Sequence, residues 1–579
     1  MKKVISAISA LLILTLLMLS FPDSARAQLN ATTFTVNTIA DTDDETSDDG
    51  ICADEFGNCS LRAAMEEGKY LFYDHATETT IYFSLSGQQT IYLKGELPND
   101  SPANIIGPDD LSVTIDGQNI AGVGLDLGST SSTTIKNLRL QRFTFAAIIT
   151  SNYNGTDTIE NNIIINNGMR GIYVSGQQTI PSSGSISILG NYIGYDPINE
   201  VVGPNGTHGI DLDADDFTAT SATIFISGNV ISGNENCGIS VRSPDIDTDT
   251  IIQGNYIGTN DAGNSAAPNS TGICVYRHAG LLTIGGDSAA EGNLISGNTN
   301  SGIDIRKAVN FSVQYNNLST NASGTAYLPN NGGDIEVYES SLGLIADNVA
   351  LHGISIPAIA EYPVTEVSVL RNYVGITRSG FIRPLTKHRD GIYAKYFYQD
   401  CQISFNRITG FRSGIFIAEG TYTNISNNRI FDVSGLGIEI PPWGTNPNDY
   451  LDADTGPNNL QNFPTLTVVT TDFGSYQTYD ITVKLHSTPN TLFRVEVFSS
   501  DVCFEGGYGE GEEFEKSSNA VQTDSGGNAT WQVATIYSWE ITGGCFTATA
   551  SKVLGDGVYG STSEFARQVN YLYLPTILR

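Results

Sequence analysis

Asp304, Arg306 and Glu336 are the side chains best placed for chemistry in this sequence. They lie in two similar phrases, Gly302-Ile303-Asp304-Ile305-Arg306 and Asp334-Ile335-Glu336-Val337-Tyr338. Each phrase reads as a short strand whose Ile and following apolar residue point inward, so the residues between them point outward. If the two strands are neighbours, Asp304 and Glu336 stand roughly 5 Å apart, the carboxylate separation that retaining glycosidases use. Arg306 beside them serves either as the base of a lyase or as a clamp on a substrate carboxylate. Polar residues are common at outward strand positions in any acidic chain, so the catalytic reading competes with a simpler one in which the same residues only bind.

The two phrases belong to a longer series. Gly-Ile-x-apolar recurs at Gly171, Gly209, Gly238, Gly272, Gly302, Gly353, Gly391, Gly414 and Gly437, with a shifted copy at Gly333. Reading x along the series gives one outward column: Tyr173, Asp211, Ser240, Cys274, Asp304, Glu336, Ser355, Tyr393, Phe416 and Glu439. A second column two residues on holds Asp213, Arg242, Tyr276, Arg306, Tyr338 and Lys395. Tyrosine faces stack on sugar rings, while arginine and carboxylate fix hydroxyls or uronate groups. Tyr173, Asp211, Arg242, Tyr276, Tyr338 and Tyr393 are therefore the candidate carbohydrate-binding set.

Such columns need strands stacked in register. Between the Gly-Ile phrases runs a second one, Asn followed by apolar residues, as in Gly190-Asn191-Tyr192-Ile193 and Gly254-Asn255-Tyr256-Ile257. Strands this short cannot bury an apolar face alone, and repetition at a few tens of residues marks a solenoid. The sequence predicts an all-β fold: a right-handed parallel β-helix with an N-terminal cap and a C-terminal β-sandwich. Gly and Asn are expected at the corners because both tolerate left-handed backbone angles, and corner asparagines are expected to stack into hydrogen-bonded ladders.

Lys2 and Lys3, an apolar run from Val4 to Leu19 and Ala25-Arg26-Ala27 form a secretory signal peptide over residues 1–27. The run is too short for a permanent membrane anchor. A net charge of −33 argues against nucleic acid or an anionic membrane as partner. Export of a chain with seven cysteines invites disulfides. Cys52–Cys59 and Cys503–Cys545 are the expected pairs; Cys237, Cys274 and Cys401 read first as buried thiols, a Cys237–Cys274 bond being the alternative.

Residues 28–110 are expected to form the cap and first coils, and 111–445 the β-helix proper. Ser60 reads as an N-cap and Gly68 as the stop of a short helix whose Leu61, Ala64 and Met65 plug the solenoid end. Phe34-Thr35-Val36-Asn37-Thr38, the Asp-rich loop to Cys52 and Cys59-Ser60-Leu61-Arg62-Ala63-Ala64 resemble the CSLREA-domain family of exported β-helix proteins. Gly95-Glu96-Leu97-Pro98 and Thr114-Ile115-Asp116-Gly117 resemble that family's first coils; Ala63 departs from the motif, which has Glu there. The resemblance implies an exported solenoid and assigns no activity.

After Trp443 the chain changes character. Residues 446–462 form an Asp/Asn-rich linker in which Asp452, Asp454 and Asn458 offer hard oxygen ligands suited to calcium. The acidic loops at Asp41–Asp49 and Asp211–Asp216 read as solvated. Alternating strands over 463–568 predict an immunoglobulin-like sandwich of roughly one hundred residues, and the apolar tail 569–579 a docked strand or a sorting signal. No zinc, phosphate-loop or nucleophile-elbow motif is present, so no organic cofactor is expected. The sum is a secreted or cell-surface monomer that binds an extracellular polysaccharide or cell-surface component. A polysaccharide lyase or glycoside hydrolase is the first alternative, and a structural stalk or adhesin the second.

Overall fold

The structure, a computed structural model, describes residues 30–128, 132–151, 155–175, 184–213, 223–243, 248–384, 389–397, 401–501, 510–541, 543–555, 558–566 and 568–574. The expected signal peptide lies outside them. Three parallel sheets of 14, 13 and 12 strands wind as a right-handed β-helix, each coil giving one strand to each face in turn. A single apolar core runs through it from Phe34 to Ile440, dominated by Ile and Val. Burial of these side chains at about 1.5–3 kcal/mol each is the main stabilising term.

The two repeated phrases have different physical causes. At the corner between the first and second faces, ten asparagines stack side by side: Asn162, Asn191, Asn229, Asn255, Asn293, Asn316, Asn348, Asn372, Asn406 and Asn428. Each Nδ2 donates to the next Oδ1 at 2.9–3.0 Å, and each Oδ1 also accepts a backbone N–H, as Asn293 does from Asn255 at 2.9 Å. A shorter ladder at the corner between the second and third faces runs through Asn167, Asn205, Asn234, Asn269, Asn298 and Asn330 to Asp334. The left-handed corner residue comes just before the first ladder, at Gly190, Gly228 and Gly254 but also at Tyr315, Asp347 and Arg371.

Except at Gly353, with φ 93°, the glycine of Gly-Ile-x-apolar is not such a corner, contrary to expectation. A Cβ on Gly171, Gly209, Gly238 or Gly272 would lie 2.5–2.8 Å from the carbonyl oxygen of the equivalent glycine one coil on. Close approach of successive coils, not backbone angle, requires glycine there.

At the N-terminal end the helix Leu61–His75 packs on the first coil with Leu61, Ala64 and Met65 buried, and Ser60 caps it by accepting the Ala63 N–H. The helix continues past Gly68, which is there because the Thr79 side chain lies 3.1 Å from where its Cβ would be. Cys52–Cys59 is bonded, as is Cys237–Cys274, so the reading of the latter two as thiols is corrected. Cys401 is buried, with its Sγ 3.7 Å from the Val364 carbonyl. Cys545 is disulfide-bonded, and Cys503 lies outside the described residues. Asp41, expected in solvent, is buried against Arg62 at 2.8 Å; Asp215 and Asp216 lie outside the described residues.

The C-terminal region is a β-sandwich. One sheet contains Asn528–Gln532, Gln477–His486, Thr465–Asp472 and Gln568–Leu574, with Ile536–Tyr537 beside the second of these; the other contains Glu513–Gln522, Leu492–Ser500, Cys545–Gly555 and Val558–Thr562. Gln568–Leu574 pairs in parallel with Thr465–Asp472, so the start of the tail is a docked strand.

The second sheet closes the open end of the solenoid. Along the helix, N–H groups of one coil donate to carbonyls of the next, as Ile415 does to Gly437 at 2.9 Å. The last coil has no successor, and the sandwich supplies acceptors instead. Ile425 donates to Thr562 Oγ1, Asn427 to Glu496, Ile430 to the Gly511 carbonyl, Asp432 and Val433 to Glu510, and Ile440 to Glu564. Phe498 and Phe565 complete the solenoid core from the sandwich side. An edge of unpaired donors, which would template aggregation, is thereby covered.

Candidate functional site

The third face carries the expected ribbon. Cross-strand pairing runs Tyr173, Asp211, Ser240, Cys274, Asp304, Glu336, Ser355, Tyr393, Phe416, Glu439 without a break. The second column holds for Asp213 with Arg242 and for Arg306 with Tyr338, but Lys395 faces Pro357. A bulge after Val241 makes Arg242 face Arg277, which leaves Tyr276 as an extra residue on its strand.

Half of the first column is not solvent-facing. Asp211, Ser240, Cys274, Phe416 and Glu439 are buried, each for a local reason where one is visible. Asp211 lies under Arg170, Cys274 is tied to Cys237, Phe416 is stacked between two rings, and Glu439 accepts the Gly444 N–H at 2.7 Å. Tyr173, Asp304, Glu336, Ser355 and Tyr393 remain half-exposed.

What organises the face is a repeated unit of carboxylate, guanidinium and aromatic ring. Arg170 pairs with Asp211 at 2.6 Å and lies 4.5 Å over Tyr173 and 4.9 Å over Phe145. Arg242 reaches Asp213 at 3.7 Å and lies 5.5 Å over Tyr276. Arg306 pairs with Asp304 at 2.8 Å and lies 4.7 Å over Tyr338. Arg412 pairs with Asp390 at 2.8 Å and lies 4.0 Å over Trp443. The last unit ends in a stack, Tyr393 on Phe416 at 5.6 Å and Phe416 on Trp443 at 4.7 Å, with Trp443 60% exposed. Each guanidinium is charge-compensated by a carboxylate and lies over an aromatic ring.

Phe145, Arg170, Asp390, Arg412 and Trp443 were outside the columns read from the repeat. Their signal was present: Arg170 and Asp390 directly precede the repeat glycines 171 and 391, and Arg412 stands two before Gly414.

Asp304 and Glu336 are register partners on adjacent coils. Asp304 accepts hydrogen bonds from Arg306 Nε and Nη2, which holds the guanidinium pKa above its ordinary value. Glu336 accepts the Tyr338 hydroxyl at 3.2 Å; burial, then the Glu336 and Asp304 charges, push that phenol up to about 12. A phenol and a guanidinium so firmly protonated are donors and work against a base role for Arg306.

The linker carboxylates gather differently from expectation. Asp449, Asp452 and Asp454 bring one oxygen each to within 4.8 Å of one another. Burial and neighbouring carboxylates push Asp452 and Asp454 upward, and Asp454 Oδ1 is buried with no hydrogen-bond partner. These three oxygens fit a hard divalent cation. Asn458 is not among them: its amide binds Thr423 and Thr562 at the seam between solenoid and sandwich.

No protein-family model and no curated protein matches this chain. Among solved structures, a surface adhesin of Streptococcus pneumoniae, PfbA, is 13% identical over 67% of this chain and 91% of its own, with a TM-score of 0.37. The A-module of the Azotobacter vinelandii mannuronan C-5 epimerase AlgE4 is 11% identical over 71% and 98%, with a TM-score of 0.32. The tailspike gp49 of Acinetobacter baumannii bacteriophage Fri1, a capsular polysaccharide depolymerase, is 8% identical over 85% and 77%, at 0.24. Among the described residues no helix is long and apolar enough to cross a membrane.

Proposed function

We propose that this chain is a secreted or cell-surface protein that binds carbohydrate along the third face of its β-helix. The observation that carries the reading is the recurrence of the carboxylate–arginine–aromatic unit at four levels of one continuous face. Fixed rings offer stacking surfaces for pyranoses, and paired charges offer hydroxyl donors and acceptors. Because each arginine already has a carboxylate, the face suits neutral sugars better than uronates. The disulfides and the resemblance around Cys59–Ala64 to CSLREA-domain exported proteins support an extracellular site of action. The sandwich is read as an immunoglobulin-like terminal domain, and calcium as the ion held by Asp449, Asp452 and Asp454.

A second reading, hydrolysis or lyase chemistry at Asp304 and Glu336, is favoured by their register pairing. A glycan array screened with the mature chain, with and without calcium and followed by product analysis, tests both. Retained binding with no cleavage supports recognition. Cleavage abolished by Asp304→Asn with Glu336→Gln would replace it with the enzymatic reading, and silence across the array would leave a stalk or adhesin.

A further inference from the structure

The sandwich carries a second aromatic surface, built by two turns. The hairpin turn between Thr465–Asp472 and Gln477–His486 contributes Phe473 and Tyr476; the segment at Ile536–Tyr537 contributes Tyr537 and Trp539. The turns are locked together. Ile536 and Tyr537 pair with Tyr479 and Thr478, the Gln477 N–H donates to Ser538 Oγ at 3.0 Å, and the Ser538 N–H returns to the Gln477 carbonyl at 2.9 Å. Asp472 accepts the Gly474 N–H at 2.7 Å, and Glu540 the Tyr537 N–H at 3.1 Å.

The four rings form one cluster. Phe473 stacks on Tyr476 at 4.9 Å and 19°, Trp539 stacks on Tyr537 at 4.5 Å and 18°, and Tyr476 meets Trp539 edge-on at 4.9 Å. Phe473 is 48% exposed and Trp539 63%, and neither belongs to the sandwich core. With one face of each ring covered by its stacking partner, exposure this large leaves the other face to solvent. Rigidly backed, open aromatic faces outside a core mark a binding surface.

The chemistry of the surround selects the occupant. The rings are flanked by the carboxylates of Asp472 and Glu540 on a chain of net charge −33, which disfavours nucleic acid, anionic lipid and acidic polymers. A stable protein partner needs about 800 Å² per side, more than four rings present. A neutral pyranose offers an apolar C–H face to each ring and hydroxyls to the carboxylates. Trp539 is inclined 64° to Tyr476 while Phe473 is nearly parallel to it, so a flat ribbon of sugars cannot lie on both open faces and a bent or helical chain can. We propose that Phe473 and Trp539 form a second carbohydrate site, selective for a neutral, non-planar glycan chain and independent of the solenoid ribbon.

Affinity electrophoresis of the mature full-length chain through gels containing amylopectin, barley β-glucan or polygalacturonate tests this. Amylopectin, a neutral helical glucan, is expected to retard the wild type. Trp539→Ala and Phe473→Ala are expected to lose at least fivefold in affinity with unchanged Tm, and Trp539→Phe to retain most of it. Loss in Trp443→Ala with none in Trp539→Ala would overturn the second site while supporting the ribbon. Unretarded wild type in amylopectin, or stronger retardation by polygalacturonate, would also overturn it. So would a wild-type sedimentation coefficient that falls in Trp539→Ala, which would assign the surface to a second copy of the chain.

Discussion

At the residue scale, the same side-chain types serve as scaffold and as site, and burial separates the two. Asn293 is fully buried and accepts the Asn255 N–H and Nδ2 while donating to the Ile252 carbonyl and to Asn316. Asn293→Ala strands those partners away from water, so urea unfolding is expected to show a loss of about 2–4 kcal/mol; a loss below about 0.5 kcal/mol would contradict a structural role for the ladder. Trp443 is the opposite case, exposed and packed against Phe416 and Arg412. Trp443→Ala is expected to cut affinity for a ribbon-bound glycan about tenfold, as loss of one stacking ring does, with Tm unchanged. The x column was legible residue by residue because period-2 alternation fixes direction and the repeat fixes register. Arg170 and Arg412 stand beside repeat glycines but outside the x column, and Trp443 stands beyond the last Gly-Ile phrase, so the column did not include them.

At the element scale, the seam between solenoid and sandwich rests on buried acids. Burial pushes both Glu510 and Glu564 up to about 7, although each accepts two backbone N–H groups that pull the other way. The folded pKa is above the unfolded one near 4.5, so the docked state binds more protons. Their contribution is therefore full below about pH 4.5 and is lost as pH rises through about 7. Thermal unfolding is expected to give a higher Tm at pH 5.5 than at pH 8.5, worth a few kcal/mol in total, and Glu510→Gln with Glu564→Gln to flatten the dependence. A Tm that rises across that interval would contradict this origin. None of this seam was legible, because Glu510 and Glu564 meet the last coil from more than seventy residues away and no periodic pattern announces it. The linker shows the same limit: Asp452 and Asp454 come together, whereas Asn458 turns away at left-handed φ 47° and Asp449 joins instead. Calcium is expected to raise Tm, and Asp454→Asn to abolish the rise; an equal rise in the variant would remove the site.

At the scale of the whole molecule, a rigid rod closed at both ends presents one long face whose chemistry repeats with the coils. The stacking order and the inward residues of the repeated coils followed from two short phrases, since a solenoid repeats local rules and each coil meets only its neighbours. The sandwich strands Leu492–Ser500 and Cys545–Gly555 were legible from alternation, but not their second role as the solenoid's lid. Binding of neutral carbohydrate by the third face is tested most directly by a ribbon-directed glycan array. The mature Phe473→Ala/Trp539→Ala chain, which lacks the sandwich rings, would be screened beside the same chain carrying Tyr338→Ala, Tyr393→Ala and Trp443→Ala. Binding of neutral oligosaccharides by the first and its loss by at least tenfold in the second is the expected result. Equal binding by both, or binding confined to uronate polymers, would contradict the account.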